Sequence, residues 1–366
     1  MTADIPGFNP VYSITPAIAQ ALMRIEAVRQ QVELLPITPR VLANLRETAR
    51  LVSTHYSTRI EGNLLTREQV AQLIVHGQHF PGCERDQAEV LGYYAALDDC
   101  LAQPRAPFTE LTIQRIHALV MAGGKSTVKP TPYRDGQNVI QDSRTGSIVY
   151  LPPQAADVPR LMHNLVHWLN SETGLPVPLI AAIAHYQFAT IHPYYDGNGR
   201  TARLVTTLLL HRGNFGLKGL YALEEYYARD LAAYYRALDM GPSHNYYLGR
   251  PAADITPWLA YFIEGMATSF EKVRDQAQRE ADIGIPDPSR LLRNLDSKQK
   301  KALTLFHASR EITSNQIADL FGIQQQTAAR LCTQWTQSGF LVIANPSRKA
   351  RLYRLADSWE ELFRDQ

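Results

Sequence analysis

The sequence has few cysteines. The three that it has, Cys83, Cys100 and Cys332, are odd in number and widely separated in a chain of 366 residues. Small domains that depend on disulfides need paired cysteines, so a disulfide framework is not expected here. We expect instead a protein of the reducing cytoplasm.

Long hydrophobic runs are also missing. No apolar stretch reaches the roughly 20 residues that cross a bilayer. Residues 1–16 carry an acid and prolines where a signal peptide needs a basic start and an apolar centre. We therefore expect no membrane partner. The formal net charge is only +2, so contact with nucleic acid would need a local basic patch.

The sequence does contain hydrophobic residues at helical spacing through most of its length. They make up 45% of the chain, which at this length supports a sizeable core and two domains. Apolar residues three and four apart predict helices over 14–34 and 38–55, and Thr66 with Gln69 predicts a capping box for the next helix. Two short β-prone runs within 137–151 predict a small hairpin. The fold class is therefore mainly α.

The last part of the chain has a pattern of its own. After a helix over about 252–283, two prolines and two aspartates predict a linker. A helix over about 297–308 is followed by a helix-turn-helix with Gly322 at its turn, and then by two strands joined by a basic turn. This order predicts a winged-helix-like domain over 285–366.

Polar residues in this domain are of types that contact DNA. They lie in the wing and near the start of the second helix of the helix-turn-helix: Arg348, Lys349, Arg351, Gln324, Gln325, Gln326 and Arg330. Winged helices also bind proteins, so the pattern predicts a macromolecular contact and leaves its kind open.

The chemistry concentrates in the stretch His192–Arg203, which reads HPYYDGNGRTAR. A proline that disfavours a helix is followed by a glycine-rich turn and a new helix near Thr201. Backbone N–H groups of such a turn and the positive end of the helix form an anion site. Arg200 and Arg203, one turn apart, can share a polyphosphate. Asp196 is a hard oxygen ligand suited to Mg²⁺.

This stretch resembles the Fic-domain signature H-P-F-x-[D/E]-G-N-G-R, and the surrounding helices fit over roughly 50–245. Tyr194 departs from it where the family has phenylalanine, and its hydroxyl would need a partner beneath the loop. The resemblance implies a Fic helical fold with a hairpin flap and a winged-helix domain. It divides the chain into N-terminal helices (1–110), a Fic core (111–245), a connecting helix (246–284) and the C-terminal domain (285–366).

The resemblance also implies an activity: Fic proteins move AMP from ATP to a Ser, Thr or Tyr hydroxyl of a target protein. Carried over by position, His192 is the general base, Asp196 holds Mg²⁺, and Asn198 assists the anion site with its side chain. Residues implied to bind ATP are Glu61, His192, Gly197, Asn198, Gly199, Arg200, Thr201, Ala202, Arg203, Asp230 and Tyr235. The last two are expected in the pocket for the adenine and ribose.

The partners implied are a target protein and a second copy of the chain. The flap hairpin at 137–151 is expected to dock the target segment as an added strand. Modification of the chain by itself and a homodimer that keeps the site restrained are further expectations from the family.

An upstream stretch resembles the inhibitory motif [S/T]-x-x-x-E-[G/N] of Fic proteins. In residues 57–62 it supplies Ser57, Glu61 and Gly62. The resemblance implies that Glu61 pairs with Arg203 and takes the place of the ATP γ-phosphate. We therefore predict an autoinhibited protein adenylyltransferase.

Two other interpretations remain at this stage. In one, the chain is a transcription regulator whose Fic domain only senses nucleotide. In the other, it carries out a different Fic reaction, such as transfer of UMP or phosphocholine, or removal of AMP.

Overall fold

The computed structural model describes residues 7–103, 106–141, 146–172, 174–284, 295–306, 309–345 and 351–356. The chain forms two compact units, residues 1–280 and 281–366. Most of the described residues are helical. In these ranges, no helix has both the length and the apolar character required to cross a membrane.

The first unit consists of helices with one small sheet. Its helices are α1 (Pro16–Leu34), α2 (Pro39–Ile60), α3 (Arg67–His76), α4 (Glu84–Ala102), α5 (Glu110–Met121), α6 (Val158–Ser171), α7 (Val177–Ile191), α8 (Asn198–Arg212), α9 (Glu224–Arg229), α10 (Leu231–Leu238) and α11 (Thr256–Gly284). Its strands are β1 (Ile140–Gln141) and β2 (Ile148–Tyr150), and short 3₁₀ turns occur at Ala155–Asp157, Leu217–Gly219 and Arg250–Ala252.

Helix α2 is longer than the sequence predicted. The Thr38 hydroxyl caps its start by accepting the N–H of Val41, but the helix runs to Ile60, five residues beyond the predicted end. It stops because Gly62 adopts φ +93°, a left-handed conformation that glycine accepts readily. The extension matters because it places the stretch that resembles the inhibitory motif, residues 57–62, at the end of α2.

The predicted capping box of α3 is confirmed. Thr66 Oγ1 accepts the N–H of Gln69, and the Gln69 side chain accepts the N–H of Thr66. Further along, Asp230 interrupts the helical path between α9 and α10, and its carboxylate accepts the N–H of Ala233 as the cap of α10.

Helix α7 lies at the centre of the first unit. It is apolar on nearly every side, and most of its residues are buried, between the two main hydrophobic clusters of the unit. The imidazole of His185, a residue of α7, is fully buried. Its Nδ1 lies 3.0 Å from Thr206 Oγ1 and its Nε2 lies 2.9 Å from Tyr234 Oη. This packing fixes the end of α7, where the site begins.

The predicted hairpin is present as the antiparallel pair β1–β2. Ile140 pairs with Tyr150 and Gln141 with Ile148 across an irregular register. Tyr150 is buried, and its hydroxyl donates to the carbonyl of Thr190 in α7 at 2.8 Å. The hairpin is therefore fastened to the same helix that leads into the site. Its turn lies outside the described residues.

In its described residues, the second unit has three helices after residue 295 and a three-stranded antiparallel sheet. Its elements are α12 (Ser297–Phe306), β3 (Ile312–Thr313), α13 (Ser314–Phe321), α14 (Gln325–Gln337), β4 (Leu341–Asn345) and β5 (Leu352–Leu355), with strand order β3-β5-β4. Gly322 adopts φ +63° and ends α13, as predicted for the turn between the two helices. Strand β3 was not predicted, because two residues carry too little periodicity. The predicted linker lies largely outside the described residues. Arg348 and Lys349 of the predicted wing lie wholly outside them.

Candidate functional site

The loop between α7 and α8 carries the predicted chemistry. Helix α7 ends at Ile191, and His192 turns the chain with φ 52°, a conformation uncommon for residues other than glycine. Helix α8 begins at Asn198, three residues earlier than predicted, and in the glycine-rich run only Gly197 has positive φ, at 74°. The segment predicted to bind an anion is therefore the first turn of a helix, preceded by one left-handed glycine.

That first turn presents unpaired backbone donors. The N–H groups at the start of an α-helix have no partner within the helix, and here they belong to Asn198, Gly199 and Arg200. They lie where the positive end of the helix dipole favours an anion. The N–H of Gly197 is occupied, since it donates to Asp196 Oδ1 at 2.6 Å.

The Asn198 side chain holds the loop in shape. Its Oδ1 accepts the N–H of Tyr194 at 3.0 Å, and its Nδ2 donates to the Tyr194 carbonyl at 2.8 Å. Both ends of the amide are thus occupied by backbone. In this arrangement the Asn198 side chain holds the loop instead of assisting the predicted anion site. Of the N–H groups of Gly197, Asn198 and Gly199 that were predicted to form this site, that of Gly197 is already occupied.

His117 of α5 packs against the loop between α7 and α8. Its ring stacks on Tyr194 with centroids 3.6 Å apart, and its Nε2–H donates to the Asp196 carbonyl at 2.9 Å. Burial lowers the pKa of His117 to about 4, so the ring is neutral. Tyr194 is buried beneath the loop as predicted, but its hydroxyl forms no hydrogen bond with any described residue. Sequence reasoning missed His117, which lies 75 residues or more from the motif.

Arg134 fastens the loop at its start. Its Nε donates to the carbonyl of His192 at 2.9 Å, and its backbone N–H donates to the carbonyl of Pro193 at 2.9 Å. The remaining guanidinium N–H groups reach the carbonyls of Gly136 and Pro153. A buried arginine therefore joins the loop to both sides of the hairpin, and no signal in the sequence singled it out.

His192 is half-buried and lines a cavity of about 700 Å³. Burial is the main cause that lowers its pKa to about 4, and the charge of Arg134 acts in the same direction. The imidazole is therefore neutral near pH 7 and can accept a proton.

Arg203 is one of the charged residues that line this cavity. Its side chain is 1% exposed, its Nε donates to Ser57 Oγ at 2.7 Å, and its Nη2 donates to the Ser57 carbonyl at 2.9 Å. Nη2 also donates to Glu61 Oε1 at 2.8 Å. A Cβ added at Gly199 would overlap Glu61 Oε1. The Glu61 carboxylate therefore lies against the first turn of α8, next to the anion site.

Arg200 faces a different direction. Its side chain is 3% exposed, lies 3.3 Å from Asp196 Oδ1 and 3.9 Å from Glu89 Oε1, and does not line the cavity. The two arginines of the motif therefore do not converge in this conformation, because Arg200 is paired with carboxylates outside the cavity. Thr201 is fully buried in α8, and Ala202 lines the cavity.

The matching family model covers residues 107–210 and is described as the Fic/DOC family. Residues 107–210 therefore match a Fic domain. The matched range contains the hairpin, α7, the loop and most of α8. It leaves out α2, so Glu61 reaches the Fic domain from a helix outside the matched range.

Curated relatives show the same relationship. Over 178 residues, 47% of this chain and 33% of the relative, the sequence is 34% identical to Protein adenylyltransferase fic-1 of Caenorhabditis elegans. It is 30% identical to Protein adenylyltransferase Fic of Drosophila virilis over 179 residues, 48% of this chain and 35% of the relative. The chain thus spans about a third of the length of these relatives.

Solved structures share the fold. A Fic family protein from Desulfovibrio desulfuricans G20 matches 96% of this chain and 99% of its own, with a TM-score of 0.63 and 24% identity. Fic-1 from C. elegans matches 72% of this chain and 73% of its own, with a TM-score of 0.58 and 23% identity. The prediction of a mainly α Fic fold is confirmed.

The two residues predicted to contact the adenine and ribose differ in their position relative to the cavity. Tyr235 lines the cavity, and its hydroxyl lies 3.4 Å from the Ile60 carbonyl. Asp230 does not line it, and its cap of α10 accounts for its carboxylate. Four lining residues in this region were missed: Tyr234, Leu238, Asp239 and Arg250.

The described residues contain no ready-made metal cage. Among them, no three His, Cys, Asp or Glu side chains are grouped so that they could hold an ion. The Asp196 carboxylate is 61% exposed, and its Oδ2 forms no hydrogen bond in the described part of the chain. One open carboxylate oxygen fits a Mg²⁺ ion that is bound mainly by phosphates and water.

Buried neutral histidines should make the protein sensitive to mild acid. Burial lowers the pKa of His192 to about 4, that of His185 to about 3, and that of His55 below its ordinary value. Since the unfolded chain takes up these protons near pH 6.5, the unfolded state binds more protons below that pH. The free energy of unfolding should fall from pH 6.5 to 5 by up to about 1.4 kcal/mol per pH unit for each histidine.

Urea titrations at pH 7, 6 and 5 would measure this loss. In that interval exposed carboxylates contribute little, because they titrate lower. A free energy of unfolding that stays constant from pH 7 to 5 would contradict the assignment of these histidines as neutral.

Proposed function

We propose that this chain transfers AMP from ATP to a Ser, Thr or Tyr hydroxyl of a target protein and of itself, and that Glu61 restrains the reaction. The observation that supports this function best is the placement of the neutral imidazole of His192, the first turn of α8 and the Arg203 guanidinium around one cavity. The names of the curated relatives, both protein adenylyltransferases, agree with it.

His192 removes the proton from the attacking hydroxyl. The hydroxyl oxygen then bonds to the α-phosphorus of ATP while the bond to pyrophosphate breaks, and pyrophosphate leaves. The N–H groups of Asn198 and Gly199 stabilise the negative charge on the α-phosphate oxygens. Arg203 binds the terminal phosphates once Glu61 has withdrawn.

Asp196 would hold a Mg²⁺ ion through its exposed oxygen. When bound, the ion neutralises charge on the phosphates and assists the departure of pyrophosphate. Arg200, whose guanidinium pairs with Asp196 in this structure, would bind the β-phosphate.

The hairpin offers a place for the target segment. In the described part of the chain, β1 pairs only with β2, so its outer edge is open to an added strand. Val139, Ile148 and Val149 are exposed beside it. Pairing with this edge would orient a target hydroxyl towards His192 without reading much of the target sequence.

We also propose that the second unit is a winged helix that serves as a recognition domain. The order of α12, β3, α13, α14, β4 and β5 supports this interpretation. At the start of α14 the side chains of Gln324, Gln325, Gln326 and Arg330 are exposed. Their chemistry suits DNA, and the pattern leaves open whether this surface binds DNA or protein.

Mass spectrometry of the modified protein tests the activity. The Glu61→Gly variant is incubated separately with ATP, UTP and CDP-choline, and the mass added to the protein identifies the group transferred. We expect AMP from ATP, and its absence when Glu61→Gly is combined with His192→Ala. A different adduct, removal of AMP from a modified protein without any transfer, or nucleotide binding without any adduct would overturn the proposal in favour of the corresponding alternative.

A further inference from the structure

A second cavity in the first unit lies apart from the Fic motif. Its volume is about 690 Å³, and its walls come from α1, α2, the end of α4 and the segment 211–219 after the middle of α8. It shares no lining residue with the cavity that contains His192 and Arg203. Clefts of this size commonly bind small molecules. The proposed transfer of AMP does not use this one.

Positive charge dominates the lining of the second cavity. Among its described residues, four are cationic and one is acidic: Arg29, Arg46, Arg50 and Lys218 against Glu33. Ion pairs with acids outside the cavity neutralise Arg29 and Arg50. Arg46 and Lys218 bond to backbone carbonyls instead, and in the described part of the chain neither forms an ion pair. The cavity therefore contains two uncompensated cations.

These two cations are held next to one another by backbone contacts. Arg46 Nε donates to the carbonyl of Lys218 at 2.5 Å, and Lys218 Nζ donates to the carbonyl of Glu33 at 3.0 Å. Each side chain has further N–H groups beyond the one used here. An arginine fork beside a lysine charge suits a phosphate group, which accepts several hydrogen bonds and is strongly anionic.

The backbone that presents Lys218 is strained. In the described part of the chain four non-glycine residues have positive φ, and three of them lie in this segment: Asn214 at 66°, Leu217 at 42° and Lys218 at 55°. Asparagine accepts this conformation, but it is unfavourable for leucine and lysine. The fourth residue is His192 in the Fic motif. Since such strain concentrates at functional sites, the segment is expected to do more than connect two helices.

We propose that this cavity is a second ligand site, which binds the phosphate monoester of a small, partly apolar molecule. Arg46 and Lys218 bind the phosphate. Val32, which is fully buried, and Leu217, which is 5% exposed, line the cavity and contact the apolar part. The carboxylate of Glu33 opposes the negative charge of the ligand and limits its affinity.

Calorimetry with inorganic phosphate and phenyl phosphate tests the proposal on the wild-type chain, in which Glu61 is paired with Arg203. We expect both probes to bind, and phenyl phosphate to bind about threefold more tightly because its ring contacts the apolar wall. Arg46→Gln combined with Lys218→Asn should weaken both probes at least tenfold. Asparagine is chosen because it accepts the positive φ at this position, so the segment keeps its conformation.

Two further variants serve as controls of opposite kinds. Arg40→Gln combined with Lys125→Gln removes the same charge from exposed positions on α2 and in a loop, neither of which lines the cavity, and should leave binding unchanged. Glu33→Gln should tighten both probes about threefold, since it removes the charge that opposes them. The urea midpoint of each variant should equal that of wild type, which separates loss of binding from loss of folding.

The outcome does not depend on whether the chain transfers AMP, because binding alone is measured. No binding of either probe to wild type, or equal affinities for wild type and Arg46→Gln with Lys218→Asn, would overturn the proposal. Binding of polyglutamate without binding of the phosphate probes would also overturn it, and would assign this surface to an acidic protein.

Discussion

Replacing Glu61 with glycine should raise AMP transfer from ATP by about 100-fold. The Glu61 carboxylate accepts a hydrogen bond from Arg203 at 2.8 Å, and it lies against Gly199 in the first turn of α8. Two unit charges about 4 Å apart interact by roughly 4 kcal/mol at an effective dielectric of 20, and about 1.4 kcal/mol is tenfold. Incorporation of α-labelled ATP into the protein itself or into a target measures the change.

The expected increase of about 100-fold is smaller than the full attraction between Glu61 and Arg203 would give, because Arg203 keeps other hydrogen-bond partners. Its Nε and Nη2 remain hydrogen-bonded to Ser57 after Glu61 is removed, so the guanidinium stays in place for the phosphates. Glu61→Gln should give an intermediate rate. It removes the charge that repels phosphate but leaves a side chain of the same size against Gly199.

Glu172→Gly is the matched control for the backbone. Glu172 also follows the last residue of a helix, α6, and its carboxylate accepts a hydrogen bond from Gly174 rather than from the Fic motif. This variant should transfer AMP at the wild-type rate. Equal incorporation by wild type and Glu61→Gly would show that the contact with Arg203 does not restrain the reaction.

The sequence predicted the part of the site that lies within one short segment. His192, Gly197 and Arg203 are close in the chain, and the turn and helix start between them follow from local residue preferences. Their partners could not be found in this way. Arg134 and His117 come from distant elements, and each has a role only because the packing of helices brings it to the loop.

Local patterns also misjudged where helices begin and end. Nothing in the periodicity of α2 required it to continue to Ile60, and it does so because its last turn packs against Arg203 through Ser57. Asn198 was expected in a loop, but its side chain ties back to Tyr194 and allows α8 to start there. Tertiary contacts decided both boundaries.

Under the proposed function, Arg203 serves both the restraint by Glu61 and the binding of the phosphates, and its contacts are compatible with both roles. A guanidinium that is 1% exposed must have compensating partners in every state of the protein. Ser57 supplies hydrogen bonds that do not depend on the state, whereas Glu61 and the terminal phosphates of ATP compete for the same donor. Withdrawal of α2 as a whole would also break the hydrogen bonds of Ser57 with Arg203, whereas a rotation of the Glu61 side chain would leave them in place.

His192→Ala should lower AMP transfer by a factor of about 10²–10⁴ when it is made in the Glu61→Gly background, where the activity is high enough to measure the loss. The imidazole is half-buried, neutral because burial lowers its pKa to about 4, and lines the cavity beside Asn198 and Gly199. Without it, the attacking hydroxyl loses its proton acceptor, while the N–H groups of α8 and Arg203 still bind ATP. Labelling should therefore fall with little change in ATP affinity by calorimetry.

His163→Ala is the control, because its imidazole is 73% exposed on α6. It should leave the rate of Glu61→Gly unchanged. The pH profile of Glu61→Gly adds a second check: since the base is protonated only near pH 4, the rate should be level from pH 8 to about 6 and should fall on acidification below that range, where unfolding also begins. Transfer that persists at full rate in His192→Ala would show that another group accepts the proton.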